Sequence, residues 1–146
     1  MKKFLLMCGL IFISPLSQAA SIKSDSYILG LVGQKPVEVE DVSYSYNIPT
    51  KTYYFSPTVN TGLELQLNKN TIEVAWHFGR KEKLAENKKA ELQAINFTQK
   101  LLGKQSLDLL IKPIKNGQTI KSIKISGITI ENARCSSTLC MYSVIR

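Results

Sequence analysis

The sequence predicts an α+β fold, an antiparallel sheet of several strands with one long helix, about 80–103, packed across one face. Three observations carry that expectation. A single stretch with helical periodicity, Arg80 to Gly103, stands between an N-terminal and a C-terminal run of strand-like segments. Apolar and polar residues alternate on both sides of the turn at Asn68-Lys69-Asn70. No internal repeat, low-complexity tract or linker divides the chain after its first residues, so residues 20–146 are expected to form a single α+β domain.

The helix is justified by its stripe. Ala90, Ala94, Phe97 and Leu101 recur at steps of four, three and four, which is one helical face. Leu84, Leu92, Ile95 and Leu102 are expected to widen that face, whereas Lys81, Lys83, Lys88, Lys89 and Lys100 fall largely outside it. Gly103 follows the last apolar pair and is the expected stop. Such a helix is marginal in isolation and must dock its stripe to persist.

The N-terminal strands are less regular. Tyr27 to Val32 is an apolar run expected as a buried strand, interrupted by Gly33-Gln34-Lys35-Pro36. Val37 and Val39 share one parity, and Val42, Tyr44 and Tyr46 the other, which implies a bulge or two strands meeting at Glu40-Asp41. Ile48-Pro49-Thr50 turns the chain, and the β-prone Thr52–Phe55 ends at Ser56-Pro57. In the clearest hairpin, Leu63, Leu65 and Leu67 on one arm oppose Ile72, Val74, Trp76 and Phe78 on the other.

Beyond the helix, Leu107, Leu109 and Ile111 alternate with Asp108 and Lys112, and Pro113 reads as a strand end. Asn116-Gly117 reads as a hairpin turn. The isoleucines from Ile120 to Ile130 change parity near Ser122 and again at Ser126-Gly127, so a bulge is expected at Gly127. Cys140, Tyr142 and Val144 are expected to face inward from a last strand.

The first 19 residues are expected to be a cleaved signal peptide. Lys2 and Lys3 precede an apolar run, Phe4 to Ile13, of about half the length a membrane span requires. Small residues Ser17 and Ala19 then mark a cleavage site, and Cys8 leaves with the leader. The pattern looks bacterial and places the product in the periplasm or outside the cell, with no transmembrane segment in the mature chain. Two cysteines remain, Cys135 and Cys140. An oxidising compartment favours their pairing as a disulfide across a short loop. The C-x4-C spacing departs from the C-x-x-C of redox pairs, and one histidine cannot complete a zinc site.

The whole chain carries 19 basic and 11 acidic residues. The leader takes two lysines and no acid, leaving 17 against 11, a net of +6. That balance favours an anionic partner. Lysine supplies 16 of the 19 basic residues, and bidentate phosphate recognition prefers arginine, so sequence-specific nucleic-acid readout is disfavoured.

No catalytic, cofactor-binding or metal-binding signature stands out. His77 is expected to face solvent from a strand, on the side opposite Trp76. Glu38, Glu40 and Asp41 lack the glycine-bearing spacing of a calcium loop, and no phosphate-cradling motif occurs. Two surface features remain as candidate binding residues. One is the aromatic group Tyr44, Tyr46, Tyr53 and Tyr54, since tyrosine combines apolar area with a hydroxyl. The other is the lysine set Lys81, Lys88, Lys89, Lys121 and Lys124. Together they suggest a non-catalytic exported protein acting through a protein–protein surface, of the inhibitor, immunity or secretion-accessory type. A binder of an anionic envelope polymer such as lipopolysaccharide is the alternative, and a hydrolase whose site is assembled only by folding comes third.

Overall fold

Leu63, Leu65 and Leu67 are buried on one strand and Ile72, Val74 and Trp76 on the next, so the expected hairpin is formed. A computed structural model describes residues 21–57, 61–79 and 81–146 of the chain. The expected signal peptide lies outside them, as does Arg80. In chain order the elements are helix α1 (Asp25–Val32), β1 (Glu38–Asp41), a four-residue helix α2 (Ser43–Tyr46), β2 (Thr50–Tyr54), β3 (Gly62–Asn68) and β4 (Thr71–His77). Then come helix α3 (Leu84–Leu102), a π-helical turn (Leu107–Ile111) running into helix α4 (Lys112–Lys115), β5 (Ile120–Ile125), β6 (Ile128–Cys135) and β7 (Leu139–Ile145). The strands make one seven-stranded sheet ordered β1-β2-β3-β4-β7-β6-β5, antiparallel throughout. The fold is α+β, with the long helix between two groups of strands.

The turn joining β3 to β4 explains its own stability. The Asn68 side-chain oxygen accepts from the backbone N–H groups of Asn70 and Thr71 at 2.8 and 2.9 Å. This is the local bonding that makes asparagine a turn residue. Gly62 opens β3 at φ +92°, where a Cβ would collide with that of Ser56.

α3 lies on the face that carries Leu65, Val74, Trp76 and Tyr142. Its buried residues are Ala90, Ala94, Phe97, Thr98, Leu101 and Leu102. Thr98 is the one polar member of that stripe. Its hydroxyl donates to the Ala94 carbonyl at 2.7 Å and meets the Tyr142 hydroxyl at 2.7 Å. Trp76 and Tyr142 meet edge to face beneath the helix, with ring centroids 6.4 Å apart. At its start, a short 3₁₀ turn covers Lys81–Lys83, and Asn87 exchanges hydrogen bonds with both backbone groups of Gly79. This pins the helix to the end of β4. Leu102 is the last helical residue, so Gly103 ends it as expected.

Two members of the expected stripe are not in the core. Leu84 is 73% exposed and Leu92 50% exposed. Leu84 opens the helix, one turn before the Asn87 side chain that bonds Gly79 beyond β4, and Leu92 lies on the flank beside Val32 of α1. Ile95 packs partly against the core.

Three segments read as strands are helical. Tyr27 to Val32 belongs to α1, whose Ser24 side chain caps the Tyr27 N–H and whose Gly33 closes the end at φ +80°. Tyr44 and Tyr46 belong to α2, so β1 ends at Asp41 rather than continuing through a bulge. Leu107 to Ile111 forms the π turn, with the Lys112 N–H bonded to the Leu107 carbonyl. Leu107, Leu110, Ile111 and Ile114 then lie at helical spacing, the last three buried. Pro113 sits in the first turn of α4, where a missing N–H is tolerated.

Asn116-Gly117 is accordingly no hairpin. Asn116 caps α4, and Gly117, at φ +86°, turns the chain out of it. The hairpin lies at Ser126-Gly127, both left-handed with φ of +52° and +79°, in place of the expected bulge. The bulge occurs between Glu131 and Arg134, where Asn132 takes φ +54°. Cys135 and Cys140 are cross-strand partners joined by a disulfide, with Cα atoms 4.0 Å apart. So small a loop contributes about 2 kcal/mol through chain entropy.

Candidate functional site

Side-chain alternation in the sheet sends one set of residues to the helices and another to the opposite face. The expected tyrosine group is divided by this rule. Tyr53, paired with Leu65, lies on the helix side and packs partly against the core. Tyr54, paired with Glu64, lies on the opposite side. Tyr44 and Tyr46 sit outside the sheet on α2, 80% and 45% exposed. The four tyrosines therefore do not make one platform.

The opposite face is polar and rich in carboxylates. β1 is an edge strand, exposed throughout, and Glu38 and Glu40 point to this face. The Tyr54 hydroxyl donates to Glu40 at 3.0 Å. Burial, that hydrogen bond and the charges of Glu64, Glu40 and Glu38 push the phenol up to about 12, so it remains a donor. His77 Nε2 lies 2.9 Å from Glu64 Oε2, and both side chains are about a quarter exposed or less, 22% and 26%. The sequence reading of His77 as a solvent-facing residue is thus refined: the strand parity is as expected, and the imidazole is tied to a carboxylate across the β3–β4 pair. A paired His and Glu can exchange a proton, but acid–base chemistry also requires a reacting group within reach. Among the described residues the side-chain hydrogen bond of the His77 imidazole is to Glu64. Among those residues no group of three His, Cys, Asp or Glu side chains is placed to hold a metal ion.

Glu73 lies diagonally from Glu64, across from Gln66, whose amide donates to it at 3.4 Å. Burial, with the charge of Glu64 second, raises its pKa above the usual 4.5. A carboxyl raised on folding penalises the fold when ionised, and the penalty vanishes as pH falls below the unfolded value. Glu73→Gln is therefore expected to raise the melting temperature by a few degrees at about pH 7 and to leave it unchanged at about pH 3. Equal shifts at both values would mean that electrostatics is not the cause.

The lysine set is divided too. Lys121 and Lys124 are exposed on β5, the edge strand at the far end of the sheet from β1. Lys81 is exposed in the 3₁₀ turn. Lys88 and Lys89 come together at a shallow groove of about 500 Å³ between the end of α1 and the outer flank of α3. Val32, Ala85 and Leu92 supply its apolar surface, and Gln34, Gln93 and Asn96 its amides. Lys89 and Gln93 also border a smaller hollow of about 180 Å³ against Phe55 and Pro57. Lys100 bonds the Leu31 carbonyl at 3.2 Å, fixing α1 beside α3. Leu84, Lys88 and Leu92 are four residues apart and form one ridge along the helix. The sequence supplied the lysines of this groove; it assigned the leucine beside them to the core.

No family model, curated protein or solved structure matches the chain. Among the described residues, no helix is long and apolar enough to cross a membrane. A disulfide between Cys135 and Cys140 is compatible with an extracytoplasmic protein.

Proposed function

We propose that this chain is an exported, non-catalytic binding protein, and that its contact surface is the outer flank of α3 with the groove beside α1. The observation that carries the reading is the exposure of Leu84 and Leu92 on one ridge with Lys88, beside Lys89. Two large aliphatic side chains in line on one helix are a cost unless something covers them. Full burial of each would contribute about 1.5–3 kcal/mol to association. The neighbouring ammonium groups favour a partner segment that presents carboxylates around an apolar centre, the usual anatomy of a protein contact. The signal-like leader and the disulfide support a partner that is itself an envelope or secreted protein.

Leu92→Asp tests this directly. Position 92 is half exposed, so the variant is expected to melt within about 1 kcal/mol of the parent stability. The parent is expected to retain a stoichiometric partner from envelope extract at low and moderate salt, and Leu92→Asp to lose it. Equal retention by parent and variant, or no retained protein with either, would sink the reading. Binding to lipopolysaccharide that weakens steeply with salt and disappears in Lys88→Gln/Lys89→Gln, with no protein retained, would favour the anionic-polymer alternative instead.

A further inference from the structure

At the opposite end of α1 a second groove, of about 410 Å³, collects cations from four separate parts of the chain. Lys23 comes from the segment leading into α1, Lys51 from β2, Lys69 from the β3–β4 turn and Arg146 from the end of the chain. Arg146 is already engaged, bonding the Ile22 and Asn68 carbonyls and Asp25. The side-chain ammonium groups of the other three have no ion pair or hydrogen bond among the described residues, although Lys51 is close enough to Asp41 to help lower its pKa, an effect due first to the Ser43 hydrogen bonds. The two carboxylates in the groove are occupied. Asp25 pairs with Arg146 at 2.7 Å, and Asp41 accepts from the hydroxyl and backbone N–H of Ser43 at 2.5 and 3.0 Å. Tyr53 lines the same groove, and its hydroxyl has no hydrogen-bond partner among the described residues.

We propose that this groove is a binding site for a phosphorylated sugar. Three unpaired ammonium groups around one concavity create a focused positive potential that an anion relieves. A phosphate monoester offers three terminal oxygens to such donors, and lysine serves phosphate as a point charge. The phenol of Tyr53 supplies a neutral donor and an apolar ring edge. The volume exceeds what a bare phosphate fills and falls within the range of sites for small organic ligands, about 300–1,000 Å³. The sugar phosphate can come free in solution or as the headgroup of a phosphorylated glycolipid, since both present the same chemistry. This site shares no residue with the α1–α3 groove, so it stands or falls apart from the protein-contact reading.

The test uses glucose 1-phosphate, glucose and inorganic phosphate in thermal-shift and calorimetric titrations, and vesicles with and without monophosphoryl lipid A. Glucose 1-phosphate is expected to raise the melting temperature with concentration, as a ligand of the folded state must, while glucose has no effect. Lys51→Gln/Lys69→Gln is expected to weaken binding by about tenfold or more, and Tyr53→Phe less, while Lys88→Gln/Lys89→Gln binds as the parent does. Vesicle binding that needs monophosphoryl lipid A and is lost in Lys51→Gln/Lys69→Gln, without binding of the soluble sugar phosphate, would identify the headgroup as the source. Absence of binding to both probes, unchanged affinity in the Lys51/Lys69 variant, or inorganic phosphate binding as tightly as glucose 1-phosphate would overturn the proposal.

Discussion

Phe97→Ala is expected to lower the free energy of unfolding by about 3–5 kcal/mol, the largest loss for any single change in α3. Phe97 is 1% exposed and sits in the cluster that holds Trp76, Val74, Leu65 and Tyr142. Truncating the ring removes its transfer free energy and leaves a cavity between a helix and a sheet, neither of which can collapse freely. The Thr98–Tyr142 hydrogen bond one residue along depends on the same seating of the helix. The check is equilibrium urea unfolding, read as a drop in midpoint with an unchanged slope. A melt indistinguishable from the parent would mean that α3 docks by another face. Leu92→Ala, one and a half turns back on the exposed flank, should cost far less by the same measurement, since the side chain it truncates is already half in water.

Arg146→Ala is expected to cost about 2–4 kcal/mol, a large effect for a terminal residue. Its side chain is only 3% exposed. The guanidinium bonds the Ile22 carbonyl at 2.8 Å, the Asn68 carbonyl at 2.6 Å and Asp25 at 2.7 Å. These contacts tie the last strand to the turn after β3 and to the segment before α1. Asp25 is 52% exposed, so its pairing is screened and contributes the lesser share. The two carbonyls carry the larger share, because removal of the donor leaves acceptors without partners beside buried Ile22. Arg146→Lys is expected to recover part of the loss, since one ammonium cannot reach all three acceptors. Hydrogen exchange should show α1 protected less in Arg146→Ala while β3 and β4 stay slow. Uniform exchange across the domain, at parent rates, would contradict this role.

The difference between the elements read correctly and those misread is physical. β3, β4 and α3 each bury one face and present the other, so their period is written in the residues. The disulfide followed from the expected oxidising compartment and the loop length. α1 has five apolar residues in an eight-residue helix, and so short an apolar run fits a buried strand equally well. Its signals were there in Ser24, Asp25 and Gly33, the capping residues of a helix rather than of a strand. Around Leu107, the exposed Leu109 completed a false two-residue alternation, and Pro113 reinforced it. The π turn changes the residue spacing locally, and no helix pattern of 3.6 residues per turn anticipates it. Ser126-Gly127 was recognised as an irregularity and assigned the wrong one: two left-handed residues in succession make a reversal, whereas a bulge keeps the strand going.

By itself the sequence determined the class of fold, the central hairpin, the buried stripe of the long helix and the cysteine pair. Each is a local matter, decided by spacing or by neighbours in the chain. Only the tertiary structure decided that Leu92 faces outward beside Lys88 and Lys89, that the tyrosines part company, and that Lys23, Lys51, Lys69 and Arg146 share one hollow. Convergence of that kind depends on where the sheet ends and how the helices cross it, and those follow from long-range packing that no window of residues contains.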